Sequence, residues 1–233
     1  MRLAVVPARG GSKRIPRKNI KYFCGKPMLA RSIEAALQSN CFDHIVVSTD
    51  DYEIAQVARQ CGAHVPYMRP AALSDDHTDT TSVIVHAIEW FTAQGNPPEL
   101  VCCLYPTAPF VHSEDIRTGL KVLIDSGAEY AFSVTSYQFP IQRAIRINTD
   151  NRVEMLNSEY FTTRSQDLTE AYHDAGQFYW GKASAWQQRK VLFSPAAAPV
   201  MIPRHRVQDI DTPEDWLRAE LMFKAMQAEQ SMK

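Results

Sequence analysis

At 233 residues with 45% hydrophobic side chains, the chain is long enough for one domain with a full core. A formal net charge of −1 gives no global attraction to nucleic acid, and no apolar run approaches the roughly 20 residues of a membrane span. Cys24, Cys41, Cys61, Cys102 and Cys103 show no C-x-x-C spacing. They read as packed, reduced thiols of a cytoplasmic protein, not as a metal or disulfide set.

The first element is a short apolar run, residues 3–6, expected as a strand buried on both faces and too short for the core of a signal peptide. No acidic side chain precedes Glu34, whereas nine basic ones do. Most of them fall in Pro7-Ala-Arg-Gly-Gly-Ser-Lys-Arg-Ile-Pro-Arg-Lys-Asn19, directly after the strand. Backbone N–H groups of a glycine turn can converge on an oxyanion, and Arg and Lys add charge-assisted bonds, so a triphosphate is the natural small ligand. A solvated basic turn is the plainer reading, but the end of a first strand is where open α/β sheets bind ligands. Neither a P-loop nor a dinucleotide fingerprint is present.

Pro27 stands where a helix would begin, with Leu29, Ile33, Ala36 and Leu37 at helical spacing. A strand follows at 44–48. Asp50 or Asp51 then caps a helix carrying Ile54, Ala55, Val57 and Ala58, ended by Gly62. Residues 63–67 read as a strand and 69–79 as a polar loop. A helix from about Thr80 turns Val83, Ile84, Ala87, Ile88 and Phe91 inward. The apolar strand 100–105 closes with Pro106-Thr-Ala-Pro109. Ser113 caps a helix through Leu120 and Ile124, stopped by Gly127, and 130–136 is again a strand. This alternation argues for an α/β fold with a mainly parallel sheet.

From Tyr137 to about Trp186 the pattern changes to short strands (141–147, 152–155, 177–180) around a polar stretch, 157–174. That reads as an inserted subdomain with a flap. Residues 200–202 return as a strand, and Thr212-Pro-Glu-Asp215 opens a last helix with Trp216, Ala219, Phe223 and Met226 on one stripe.

Chemistry concentrates in a few places besides the basic loop. In Gln208-Asp-Ile-Asp-Thr212 an extended backbone points Asp209 and Asp211 to one side, with Ile210 anchoring the other. Two carboxylates there suit a hard cation such as Mg²⁺, which would also bind phosphate oxygens. The competing reading is that Asp211 caps the last helix while Asp209 is solvated. The rigid turn after Tyr105 suits base recognition by main-chain groups, or is simply a turn. Arg69, opening Arg69-Pro-Ala-Ala-Leu-Ser-Asp-Asp-His77, can ligate base or phosphate or lie on the surface. The histidines are scattered without an H-x-x-x-H pair, and no G-x-S-x-G elbow occurs.

Together these segments resemble the CMP-sialic acid synthetase family, cytidylyltransferases that activate nonulosonic acids, along essentially the whole chain. The carrying motifs are the basic loop, Ile45-Val-Val-Ser-Thr-Asp-Asp51, Arg69-Pro-Ala-Ala-Leu-Ser-Asp75, Leu104-Tyr-Pro-Thr-Ala-Pro109 and Asp209-Ile-Asp-Thr212. The resemblance implies a single-domain, Rossmann-like (GT-A-like) nucleotidyltransferase fold over residues 1–233. It also implies Mg²⁺ dependence, and a homodimer in which an antiparallel subdomain, about 137–186, reaches over the partner's active site. It assigns Ala8, Arg9, Gly10, Gly11, Ser12, Lys18, Asn19, Arg69 and Thr80 to the nucleotide, and Asp209 and Asp211 to the metal. Arg9, Lys18 and Asp211 would carry catalysis, and Tyr105, Thr107, Gln177 and Tyr179 would face the sugar. Tyr105 stands where sialic acid synthetases usually have Gln, and Ala171-Tyr-His-Asp-Ala-Gly-Gln-Phe-Tyr-Trp180 lacks their Arg-Pro-Asn. Both features are similar to the pseudaminic acid branch. The implied reaction is CTP plus pseudaminic acid giving CMP-pseudaminic acid and pyrophosphate, by attack of the anomeric hydroxyl on the α-phosphate. N-acetylneuraminic, legionaminic and keto-deoxyoctulosonic acids are the alternative substrates. A non-catalytic nucleotide- or RNA-binding module would account for the basic loop, but not for the aspartate pair, and the loop lacks interleaved aromatic residues.

Overall fold

A computed structural model describes residues 1–75 and 78–231, so Asp76 and His77 of the expected polar loop lie outside the described residues. The chain begins with β1 (Arg2–Pro7), a small hairpin of β2 (Tyr22–Phe23) and β3 (Lys26–Pro27), α1 (Met28–Ser39), β4 (His44–Ser48) and α2 (Tyr52–Gln60). Then come α3 (Thr80–Ala93), β5 (Leu100–Leu104), α4 (Ser113–Ser126) and β6 (Tyr130–Ser136). A second hairpin of β7 (Ile145–Ile147) and β8 (Val153–Met155) precedes β9 (Tyr172–Lys182), α5 (Ala183–Gln187), β10 (Ala197–Met201) and α6 (Pro213–Ser231).

Six strands form one sheet in the order β10-β6-β9-β5-β1-β4. β1 pairs in parallel with β4 and β5, and β6 with β10, while β9 runs antiparallel between β5 and β6. The α/β class with a mainly parallel sheet and added antiparallel strands is the one expected. The continuous apolar runs arise because successive side chains enter opposite layers. Ala4, Val6, Cys102 and Leu104 meet Leu29 and Ile33 of α1 on one face, and Leu3, Val5 and Cys103 meet Ile84 and Ile88 of α3 on the other. A third apolar cluster joins Ile15, Phe23, Met28 and Phe110 to Trp216 and Ala219 of α6, and Ile210 anchors within it as expected.

Several local expectations are corrected. Residues 63–67 do not form a strand: His64 makes a single bridge to Val46, and Pro66 has no N–H with which to extend a ladder. Asp51, not Asp50, caps α2, accepting from the N–H groups of Glu53 and Ile54. The cap of α4 is His112, whose N–H donates to Asp115, so Ser113 is already inside the helix. Leu37 and Ile124 are exposed, so α1 and α4 bury narrower stripes than their spacing suggests. Within 137–186, only residues 137–171 leave the main sheet: β9 is one of its inner strands and α5 packs on α3.

Candidate active site

The C-terminal end of β1 feeds the basic loop straight into the cleft. The Ala8 N–H donates to the Ser48 carbonyl at 2.9 Å and its methyl is fully buried, so Ala8 locks the loop to β4 instead of facing a ligand. The Gly10 N–H donates to Asp50 Oδ1 at 3.0 Å, so it is engaged by a carboxylate and does not point into the cleft. A Cβ at Gly10 would lie 2.8 Å from Asp51 Oδ2, which is why a glycine stands there; Gly11 has open space. Asn19 is buried, and its amide ties the loop across by donating to the Arg9 carbonyl at 2.9 Å. Arg17, held in the left-handed region at φ 56°, pairs with Asp51 and Glu53. The acidic turn after β4 therefore sets the shape of the basic loop.

Four cations line the resulting cleft of about 340 Å³: Arg9, Arg14, Lys18 and Arg69, joined by Ser12, Asn19, Thr80, Tyr105, Thr107 and Asp211. Arg9 reaches the Asp75 carbonyl at 2.9 Å. Lys18 Nζ donates to the Ile210 carbonyl at 2.7 Å and to Asp211 Oδ1 at 3.3 Å, and Arg14 Nη2 lies 2.8 Å from Asp211 Oδ2. Arg69 is 6% exposed, yet Nε and Nη2 have no hydrogen-bond partner, and the nearest carboxylate oxygen, Asp50 Oδ1, is 3.6 Å away. Burial lowers its pKa and the charge of Asp50 opposes that shift. Buried donors without partners at a cleft wall are placed for a ligand.

A second cavity, of about 560 Å³, adjoins the first: Tyr105 and Thr107 line both. Its other walls include Thr135, His173, Asp174, Tyr179, Arg204, Gln208, Asp209 and Arg218. Tyr105 is fixed by its N–H to the Gln177 carbonyl at 2.9 Å and by Ser32 Oγ donating to its carbonyl at 2.8 Å. Its ring leans on Tyr179, centroids 5.3 Å apart, and Tyr179 OH donates to Asp174. Burial pushes both phenols up, so both stay protonated donors at neutral pH. Gln177 lines neither cavity; it is buried and its amide holds the Arg206 carbonyl at 2.6 Å.

Asp209 faces the second cavity and Asp211 the cationic cleft, so the pair straddles the seam. The capping alternative for Asp211 fails on geometry. Asp215 Oδ2 accepts from the Thr212 N–H at 2.8 Å while Thr212 Oγ1 accepts from the Asp215 N–H at 3.2 Å, a reciprocal box that caps α6 without the Asp211 carboxylate. Asp209 stands at the cavity mouth with its surface open, but crowding desolvates it and Asp211 repels it, so its carboxyl is held above the usual range; Lys18 pulls the other way. Among the described residues no group of three or more His, Cys, Asp or Glu converges on one point. Two hard oxygen donors beside a cationic cleft, without nitrogen or sulfur, are of the type that a hard cation such as Mg²⁺ takes.

Sequence reasoning named Asp50 only as a possible helix cap and gave no individual role to Arg14, His173, Asp174, Arg204 or Arg218. The first four lie inside the quoted motifs, and Arg204 and Arg218 flank the last of them, but the groups each one faces are remote in the chain.

A family model described as Cytidylyltransferase matches residues 3–223. The chain belongs to the cytidylyltransferase family. It is 44% identical to the pseudaminic acid cytidylyltransferase of Campylobacter jejuni over 95% of this chain and 96% of that one. It is 33% identical to the CMP-N,N'-diacetyllegionaminic acid synthase of Legionella pneumophila, covering 97% of each chain. A structure of CMP:2-keto-3-deoxy-manno-octonic acid synthetase complexed with CTP superposes with a TM-score of 0.69 at 19% identity, covering 98% of this chain and 99% of that one. The cytidylyltransferase is thus an enzyme with a nucleotidyltransferase fold. Among its described residues no helix is long and apolar enough to cross a membrane.

Proposed function

We propose that this enzyme transfers CMP from CTP to pseudaminic acid and releases pyrophosphate. The observation that carries the reading is the junction of two cavities at Tyr105 and Thr107, with Asp211 on the cationic side and Asp209 on the other. An electrophile in one and a nucleophile in the other would meet at that seam. The 44% identity to the Campylobacter jejuni enzyme supports the sugar, as does the aromatic pair Tyr105–Tyr179. A further, mostly apolar cavity of about 280 Å³ beside this pair, walled by Trp186, Leu192 and Phe193, suits an acylamino sugar.

In this reading Arg9, Arg14, Lys18 and Arg69 bind the triphosphate and base and hold the α-phosphorus opposite the sugar's anomeric oxygen. As that oxygen forms its bond to phosphorus and gives up its proton to solvent water, the bond to the bridging oxygen breaks, and Lys18 and the arginines receive the charge of departing pyrophosphate. Asp209 and Asp211 would hold Mg²⁺, which would supply charge neutralisation and make a nearby hydroxyl more acidic. The amide ties of Ala8 and Gly10 make these two residues supports of the loop, with the cations as the direct contacts. The enzyme works as a homodimer in this reading, and its free cysteines suit the cytoplasm.

Pyrophosphate release with CTP against a panel of nonulosonic acids tests it. The expected result is the highest kcat/KM with pseudaminic acid, and UTP a poor substitute because uracil presents N3–H and O4 where cytosine presents a lone pair and an amine. Preference for N-acetylneuraminic acid overturns the sugar assignment, and equal use of UTP overturns the base assignment.

A further inference from the structure

The second cavity is lined by two exposed cations, Arg204 and Arg218, and neither forms a salt bridge with a carboxylate among the described residues. The Arg218 guanidinium, on α6, has no side-chain hydrogen bond or salt bridge among the described residues; only the charge of Asp215, one turn earlier, acts on it. Arg204 has one long bond, Nη1 to the Tyr137 carbonyl at 3.4 Å, which leaves its charge uncompensated. Several other cations around the site are matched: Arg14 and Lys18 to Asp211, Arg17 to Asp51 and Glu53, and Arg206 to Asp115.

Both guanidinium groups rise from rigid supports. The turn bearing Arg204 is pinned at Arg206, whose guanidinium makes a two-pronged, largely buried pair with Asp115 at 2.6 and 2.9 Å, and whose carbonyl is held by Gln177. Arg218 lies between Trp216 and Ala219, which seat α6 in the core. The segment joining the two supports carries Gln208 and Asp209, so the cations share a cavity with the carboxylate at the seam.

We infer that Arg204 and Arg218 clamp the carboxylate of the acid sugar. The inference rests on the functional reading above. A nonulosonic acid bears a carboxylate on the carbon next to its anomeric hydroxyl, ionised at neutral pH. To react it must bring that anion beside Asp209, Asp211 and a triphosphate, all negative. Such an approach is opposed unless cations receive the carboxylate, and a guanidinium offers two parallel N–H donors to it. Among the residues lining this cavity Arg204 and Arg218 are the permanent cations. Clamping there fixes the anomeric oxygen toward Tyr105 and Thr107, where the two cavities meet. The clamp makes acidity at that carbon a condition of entry, so neutral sugars are rejected however well the rest of the ring fits.

The test combines protein and substrate changes. Arg204→Ala, Arg218→Ala, Arg218→Lys and the double alanine variant are assayed for pyrophosphate release with CTP and pseudaminic acid. The sugar in which the C1 carboxylate is replaced by hydroxymethyl is tested as a competitive inhibitor. The clamp predicts that each alanine change raises KM for the acid sugar about tenfold to a hundredfold, the scale of losing a charged hydrogen bond. KM for CTP and the melting temperature stay as in the wild type, and Arg218→Lys recovers part of the loss. The hydroxymethyl sugar binds wild type and variants equally weakly. Unchanged KM for the acid sugar in the variants overturns the clamp while leaving the function intact, and so does an equal loss of affinity for the hydroxymethyl sugar. If wild-type enzyme turns over no nonulosonic acid, the functional reading falls and the clamp with it.

Discussion

Lys18 shows what a single residue's context adds to its sequence. A lysine in a basic turn reads as a solvated charge, but its side chain is only 19% exposed and bridges Ile210 and Asp211. Lys18→Ala should lower turnover by at least about a hundredfold, the scale of losing a group that stabilises developing charge. It should also cost about 1 kcal/mol of stability through the lost bonds to 210–211. Turnover measured alongside thermal melts separates the two, and a loss proportional only to unfolded protein makes the role structural. Asp211→Asn isolates the proposed metal charge. The Thr212–Asp215 box keeps α6 capped, and the lost pairs with Arg14 and Lys18 are part-exposed and worth about 0–1 kcal/mol. A magnesium titration should show activity lost at ordinary Mg²⁺ and partly restored by excess Mg²⁺ or Mn²⁺, with near-native melting; wild-type activity removes Asp211 from the metal site. Arg9 and Lys18 were legible as cleft residues because basic charge after the first strand has few structural uses, whereas Arg69 and Asp211 follow no strand and were reached through their motifs. The engagement of the Gly10 N–H by Asp50 was not, since nothing local to the loop records which acceptor will stand beside it.

At the scale of elements, hydrophobic spacing located helices and strands well, and capping residues less well. Asp50 and Asp51 are equivalent in sequence, and only the packing of the loop decides that Asp51 both caps α2 and binds Arg17. That double use has a pH signature. The Arg17 hydrogen bond, above all, holds the Asp51 carboxyl below the usual carboxylate range, burial working against it. A depressed folded-state pKa adds stability that is present above the unfolded value and is lost as pH falls through the folded one. Chemical denaturation should therefore show a stability gap between wild type and Asp51→Asn that is constant above about pH 5 and closes below the ordinary Asp value; a gap independent of pH would mean that capping alone matters. The helix-to-sheet contact sets a different limit. A Cβ at Gly119 of α4 would lie 2.6 Å from the Phe178 ring and 2.8 Å from that of Trp180, both fully buried on β9. Gly119→Ala gains about 1 kcal/mol of helix propensity. The forced ring shift costs more, so calorimetry should show the melting temperature lowered, by about 2–8 °C. An unchanged or raised melting temperature means the rings move aside freely.

For the whole molecule, strand alternation gave the parallel frame but not the place of β9, which runs antiparallel between β5 and β6 after an excursion of residues 137–171. Its apolar run reads the same whether the strand is central or part of an insertion, because pairing across such a distance leaves no local signal. The excursion itself is unusually greasy outside. Phe139, Ile147, Val153 and Phe161 are 66–75% exposed, and Ile147 stands opposite Val153 across the β7–β8 ribbon. A two-stranded ribbon is marginal alone in water, and clustered exposed apolar side chains mark a surface that another protein covers. In the homodimer reading a second copy covers it. Sedimentation velocity should then give a species of twice 26.4 kDa for wild type. Ile147→Asp should shift it to monomer while leaving the melting of the core within a few degrees, because a 70% exposed side chain contributes little to the isolated fold. If the covered surface also completes the active site, specific activity of the wild type falls on dilution through the dimer dissociation range and that of Ile147→Asp is low throughout. A wild-type protein that is monomeric and fully active overturns the dimer, and a dimer that survives Ile147→Asp moves its interface elsewhere.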